Sequence, residues 1–347
     1  MKWERVRLGG FGYELGPVVV RSDELEARVA SVYERLHIPL GQLEALTGIA
    51  ERRWWRPGTP ISEGAVAAGR KALRRAKLAA SELGAVIYGG VCRDGKEPAT
   101  ACRIAHELGV AGDAIIHDVS NACLGVLNGI VDLANRIELG QIRHGLVVSC
   151  ESSREIMDTM IRRMESDGDI ERFKLSLATL TGGSGAVGVV VSAEDGAEDA
   201  RPRLLGGVAR AAPEHHELCR WGTEPAGEDL LRPVMSTDAV GVLKHGVTLG
   251  IETWRALLDE LGWAPGDVDR VVCHQVGSGH QDAILKALEL EPGKDFTTFR
   301  HLGNMGTAAL PVTLAMAAER RVVKAGDRVG LLGIGSGLNC LMLGVQW

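Results

Sequence analysis

Two stretches of the chain can be laid over each other. Residues 120–136, SNACLGVLNGIVDLANR, match residues 303–319, GNMGTAALPVTLAMAAE, with Asn121 opposite Asn304. Each sits inside the same succession of apolar runs. In the first, ELGAVIYGGV reads as a strand, ATACRIAHELGV as a helix, AIIHDVS as a strand, residues 124–139 as a helix and HGLVVSCES as a strand. In the second, the order is a strand in DVDRVVCHQV, a helix in GHQDAILKALEL, a short strand near FTTFR, a helix over residues 307–323 and a strand in RVGLLGIGS. Two βαβαβ units of one kind predict a duplicated α/β architecture with sheets covered by helices. GGSGAVGVVVSAE and CLMLGVQW read as the closing strand of each half. Residues 1–191 then form the first half and 204–347 the second, joined by the polar loop 192–203. The charged stretch 152–181 reads as a helical insertion in the first half.

At 347 residues and 45% hydrophobic content, the chain can bury a large core. Net charge is −6 with both signs interspersed, so no basic stripe favours nucleic acid or a membrane surface. Aromatics, at 4%, are too sparse for a base-stacking platform. No apolar run approaches the ~18–20 residues of a membrane span, and MKWERVRLGG has no secretory h-region. Seven cysteines without a C-x-x-C pair fit a reduced, cytoplasmic protein better than a disulfide scaffold or zinc ribbon.

One cysteine has an unusual setting. Cys123 lies where a strand should end and a helix begin, among Ser120, Asn121, Ala122 and Gly125. Small neighbours admit a substrate, and unpaired N–H groups at a helix start favour a thiolate. His274 is placed at the C-terminal end of a strand, where α/β sheets collect ligands. Asn304 sits in a Gly-rich turn before a helix. Two halves packed about a pseudo-twofold axis bring the turns of Cys123 and Asn304 together, with His274 beside them. A Cys, a His and an Asn at one point suit acyl-thioester chemistry. His215 and His216 read as a loop and no metal site is expected; His245, His280 and His301 read as structural or surface groups. Cys273 should point to the opposite face of its strand from His274, into the core. Cys92, Cys102, Cys150, Cys219 and Cys340 read as small buried hydrophobes.

The ordered Cys, His-Gln and Gly-Asn-x-Gly motifs, with TGIAERRWW near the start and GIGSGLN near the end, resemble the ketoacyl synthase III branch of the thiolase superfamily along essentially the whole chain. YERLHI, CRDGKEPATA, HQV and LLGIGSGLNC resemble most the OleA-like enzymes of that branch, which join two fatty acyl-CoA molecules head to head. The resemblance implies a five-layer α-β-α-β-α fold and a homodimer, with acyl-CoA or an acyl-carrier protein as donor. Downstream pathway enzymes are possible partners, and no cofactor is implied beyond acyl-CoA as substrate.

The resemblance also implies roles for single residues. Cys123 carries the acyl group, and the backbone N–H groups of Cys123 and Ser336 form the oxyanion hole. His274 and Asn304 stabilise the enolate of the second substrate, and Glu97 of the partner subunit removes its α-proton. The alternatives are a decarboxylating 3-oxoacyl-carrier-protein synthase III using a malonyl thioester, acyl transfer to an alcohol or amine, and a non-catalytic partner subunit. LGQLEAL and HQVG replace the DEWI-type and HQAN-type motifs of fatty-acid initiation enzymes, which favours the head-to-head reading.

Overall fold

The structure, a computed structural model, describes residues 1–167, 169–196, 198–225 and 231–347. Its strands are β1 (Val6–Leu15), β2 (Val18–Arg21), β3 (Glu51–Trp54), β4 (Ala85–Gly89), β5 (Ile115–Val119), β6 (His144–Glu151), β7 (Gly185–Ala193), β8 (Arg203–Ala211), β9 (Cys219–Pro225), β10 (Leu231–Thr237), β11 (Arg270–Cys273), β12 (Arg328–Gly335) and β13 (Asn339–Gln346). Its α-helices are α1 (Ser22–Arg28), α2 (Ala30–Arg35), α3 (Gln42–Thr47), α4 (Ile61–Ala76), α5 (Thr100–Leu108), α6 (Gly125–Glu138), α7 (Arg154–Asp167), α8 (Ile170–Leu177), α9 (Ala239–Leu261), α10 (Ser278–Ala287), α11 (Phe299–Leu302) and α12 (Ala309–Glu319).

The duplication is visible in the hydrogen bonding. The long ladder runs β11-β12-β13-β8-β1-β7-β6-β4-β5. In the first half, β4 pairs in parallel with β5 and β6, and β7 runs antiparallel to β6 and β1. In the second, β11 pairs in parallel with β12, and β13 runs antiparallel to β12 and β8. Strand order and direction repeat, and β1 pairs with β8 only through Arg7 and Arg203.

One predicted element differs. Near FTTFR there is no strand, only a parallel bridge of Asp295 with Val271, and then the short helix α11. The cause is local: the Thr298 and Phe299 N–H groups donate to Gln275 Oε1, at 2.8 and 3.2 Å, and so are not free to pair in a ladder.

Strand alternation sorts the core into layers. On one face of the first half, Val86, Tyr88, Leu146 and Val148 pack on α4 and α5. On one face of the second, Val271, Cys273, Leu332 and Met342 pack on α9 and α10. The opposite faces, with Ile87, Val147 and Val189 from one half and Leu331, Leu341 and Leu343 from the other, close on α6 and α12. This is the five-layer thiolase-like arrangement. The sequence of α12, ALPVTLAMAAE, is apolar nearly all round, as a helix between two sheets must be. Each fully buried Leu or Ile in this layer contributes roughly 1.5–3 kcal/mol.

Residues 152–181 hold α7 and α8, apart from Gly168, which lies outside the described residues. Met157, Ile161, Met164 and Phe173 pack there against Leu25, Tyr33 and Trp54 of the N-terminal excursion. No helix among the described residues is long and apolar enough to cross a membrane.

Candidate active site

The turn carrying Cys123 is built by close approach and strain. A Cβ on Gly89, at the end of β4, would lie 2.6 Å from the backbone of Gly125, so the start of α6 is pressed onto β4 at glycine-to-glycine contact. Ala122 adopts φ 44°, a left-handed conformation costing about 1–2 kcal/mol for a residue with a side chain. Such strain concentrates at functional turns. Across the gap, a Cβ on Gly335 would stand 3.3 Å from the Cys123 nitrogen, so the loop that carries Ser336 touches the Cys123 turn. Asn339 fastens the two: its Nδ2 donates to Asn121 Oδ1 at 3.0 Å and to the Ser336 carbonyl at 3.3 Å. The GIGSG run ends β12 at Gly335, within the strand read from RVGLLGIGS, and Ser336, Gly337 and Leu338 make the turn into β13.

His274 follows β11, and its backbone N–H donates to the Leu332 carbonyl at 3.0 Å. Its neighbour Gln275 is buried and joins this strand end to the segment before Asn304. Its Nε2 donates to the Cys273 carbonyl at 2.8 Å while its Oε1 receives the two amides named above. Asn304 is held on three sides. Its N–H donates to Thr181 O at 2.9 Å, its carbonyl accepts from Gly183 N at 2.8 Å, and its Oδ1 accepts from Gly306 N at 3.0 Å. The last contact fixes the carboxamide with its NH₂ group left to donate.

Cys123, His274, Asn304 and Ser336 all line one cavity of about 1290 Å³. That exceeds the ~300–1,000 Å³ of ordinary small-molecule pockets. Its apolar walls include Ile156 and Met160 of α7, Val242 and Val247 of α9, Ile284 of α10 and Met342 of β13. Glu97 is not among the lining residues; it stands exposed on the loop between β4 and α5 of the same chain.

Three further titratable side chains line the cavity: Glu151, which sequence reasoning passed over, and Cys219 and His280, to which it gave no role at the site. Glu151 ends β6, Cys219 begins β9, and His280 lies in the first turn of α10. His280, read from the sequence as a structural or surface group, lies on the cavity wall. Cys219 is half-buried, with its sulfur 3.4 Å from Thr237 Oγ1, and Cys102 is exposed on α5; neither is a buried hydrophobe. Cys92 is half-buried and hydrogen-bonded through its sulfur, while Cys150, Cys273 and Cys340 are buried. His215 stacks on His245 with ring centroids 3.8 Å apart.

Burial dominates the electrostatics. It pushes the Cys123 thiol up to about 12, with the neighbouring Cys219 and Glu151 adding in the same direction and the Cys123 N–H opposing. Burial, with a smaller contribution from His280, lowers His274 to about 4. At neutral pH the resting groups are a thiol and a neutral imidazole; the Cys123 N–H at the helix start favours the thiolate, as expected, but burial outweighs it. The helix start is one partial charge against the loss of most of the sulfur's solvation. One consequence is measurable. Below pH 12 the thiolate fraction rises about tenfold per pH unit, so alkylation of Cys123 by iodoacetamide should keep accelerating from pH 7 to 10. Peptide mapping separates it from Cys102, and a plateau near pH 7 would contradict the raised value.

Comparison with known proteins fits this geometry. Residues 57–194 match the thiolase N-terminal domain, and residues 258–347 match the 3-oxoacyl-[acyl-carrier-protein] synthase III C-terminal domain. The chain is 53% identical to the acyl-CoA:acyl-CoA alkyltransferase of Shewanella oneidensis, with 100% of both chains covered. The chain belongs to the acyl-CoA:acyl-CoA alkyltransferase (OleA) family. The alkyltransferase of Xanthomonas campestris is 37% identical over the full length of both chains. A cysteine-to-serine variant of Xanthomonas campestris OleA, solved with bound lauric acid and lauroyl-CoA, superposes with a TM-score of 0.93 at 36% identity, covering 99% of this chain and 100% of that one. Of the OleA-like motifs read from the sequence, His274 and Val276 of HQV and Gly333 to Ser336 and Leu338 of GIGSGLN line this cavity.

Proposed function

We propose that this enzyme joins two fatty acyl-CoA molecules head to head by a non-decarboxylative Claisen condensation. The observation that carries the reading is the cavity itself. One apolar chamber larger than a usual pocket holds a thiol, an imidazole and a carboxamide, in a chain of the alkyltransferase family.

Cys123 attacks the thioester of the first acyl-CoA, and its thiol proton ends on the departing CoA sulfur. The Cys123 and Ser336 N–H groups receive the oxyanion, a contribution of roughly 3–4 kcal/mol per donor. The second acyl-CoA places its thioester oxygen against the neutral His274 ring and the Asn304 NH₂. Glu97 of the partner subunit removes the α-proton, and the enolate attacks the acyl group on Cys123. A carbon–carbon bond forms, the Cys123–acyl bond breaks, and a 2-alkyl-3-oxoacyl thioester leaves, to be hydrolysed to the β-keto acid. Acyl-CoA is the substrate throughout, and no other cofactor is called upon.

Homodimerisation belongs to the same reading. β5 ends the long ladder with an open edge and an exposed Ile115, the kind of edge that pairs with another chain. The enzyme acts in the cytoplasm in this reading. Supplied with one saturated acyl-CoA and no malonyl thioester, it should give a product with the mass of two joined chains and release no CO₂. A strict requirement for malonyl thioester would transfer the reading to the decarboxylating synthases.

A further inference from the structure

The loop that carries Glu97 is held at both of its roots by carboxylates from the strands beside Cys123. At the first root, Glu151 Oε1 accepts from Val91 N at 2.9 Å and Oε2 from Cys92 N at 3.1 Å. Cys92 is fixed at every polar atom: its carbonyl accepts from the Tyr88 hydroxyl, and its sulfur lies 3.3 Å from the Ser152 carbonyl and 3.4 Å from the Ser152 nitrogen. At the second root, Asp118 of β5 caps α5, with Thr100 N and Ala101 N each 2.9 Å from one of its oxygens. Residues 93–98 between the roots are exposed.

Glu151 differs from Asp118 in facing the reaction chamber. It is buried and lines the cavity that also holds Cys123. A Cβ on Gly306, next to the Asn304 turn, would stand 3.4 Å from its carboxyl carbon. One carboxylate thus touches both the chamber of its own subunit and the base of the loop that leaves it. Burial pushes its carboxyl up to about 7, the two loop amides and the Cys92 side chain oppose that rise, and no ion pair is among its described contacts.

We propose that Glu151 is a positioning residue that couples the two active sites of a dimer: set in the wall of its own subunit's chamber, it fixes the root of the loop that delivers Glu97 to the neighbouring chamber. The proposal rests on the reading of Glu97 as a base acting in trans. It predicts an unusual genetics. A defect at Glu151 should be felt in the partner's site more than in its own.

Mixed dimers, isolated with two affinity tags, make the test. Each pairs a chain bearing Cys123 with a Cys123→Ala chain, so only one site works, and that site draws Glu97 from the Cys123→Ala chain. Placing Glu151→Gln on the Cys123→Ala chain should lower kcat for condensation about tenfold or more, the scale of a small misplacement of a reacting group, with KM little changed. Placing it on the Cys123-bearing chain should cost at least fivefold less. Equal losses in the two arrangements, or the larger loss on the Cys123-bearing chain, overturn the proposal. A control dimer with Glu97→Ala on the Cys123→Ala chain separates the two readings: if that dimer stays active, the trans base is wrong whatever Glu151 does. Should Glu151→Gln fail to fold, Glu151→Asp keeps the charge and withdraws the reach by one methylene, and the same asymmetry decides.

Discussion

Cys123→Ala should form no acyl-enzyme and should lose condensation by about 10⁴-fold or more, the scale seen when the nucleophile of a cooperating set is removed. Incubation with radiolabelled acyl-CoA, followed by peptide mapping, measures the first effect; product formation from unlabelled substrate measures the second. The substitution is mild for the fold. Cys123 is half-buried, alanine fits the same turn, and the contacts that shape it run through the backbone of Gly89, Gly125 and Gly335. A thermal midpoint close to that of the parent should therefore accompany the loss. Label that appears on Cys219, which shares the cavity, would move the nucleophile to that sulfur.

Glu97→Ala should separate the two halves of the reaction. Transfer of the first acyl group to Cys123 needs no α-proton removed, so labelling should persist. Condensation should fall by about 10²–10⁴-fold, the usual worth of a positioned general base. Because Glu97 stands away from the chamber of its own chain, the loss should be repaired in trans. In an equal mixture of Cys123→Ala and Glu97→Ala chains, half the dimers are mixed and each has one intact site, so about a quarter of the parent activity should return. No recovery on mixing, with exchange verified by tags, would place the base within one chain. Retained activity with a malonyl thioester but not with acyl-CoA alone would favour the decarboxylating mechanism for the variant.

Much of this architecture was legible because the duplication is written in apolar periodicity. α6 and α12 were readable as helices, and β7 and β13 as closing strands, because their residues alternate or repeat with the period of the element they form. β1 was not read at all, although it stands in the middle of the ladder. Its segment, VRLGGFGYEL, carries three glycines, which dilute the strand signal. Two of them are there because α4 passes within 2.2–2.7 Å of where a Cβ would be. Composition advertised a weak strand where packing required close approach. The missing strand near FTTFR has the opposite cause: the residues suit a strand, but the side chain of Gln275 had already taken their amides.

The site divides in the same way. Cys123, His274 and Asn304 could be found from order and local setting. Glu151 could not, because in sequence it is only the acid at the end of an apolar strand, and what singles it out is burial against two amides far along the chain. The thiol's raised value was equally hidden, since the start of a helix is visible in sequence and the loss of surrounding water is not.

In the alignment of the two halves, Gly306 stands opposite Cys123. Its φ is +54°, and a Cβ there would lie 3.3–3.4 Å from carbons of Glu151. The two matching corners are unequal: one carries the Cys123 thiol, and the other carries no side chain and packs on Glu151. An engineered thiol at Gly306 would thus inherit a crowded, acidic corner rather than a twin of the first, and the symmetry of the scaffold does not extend to its chemistry.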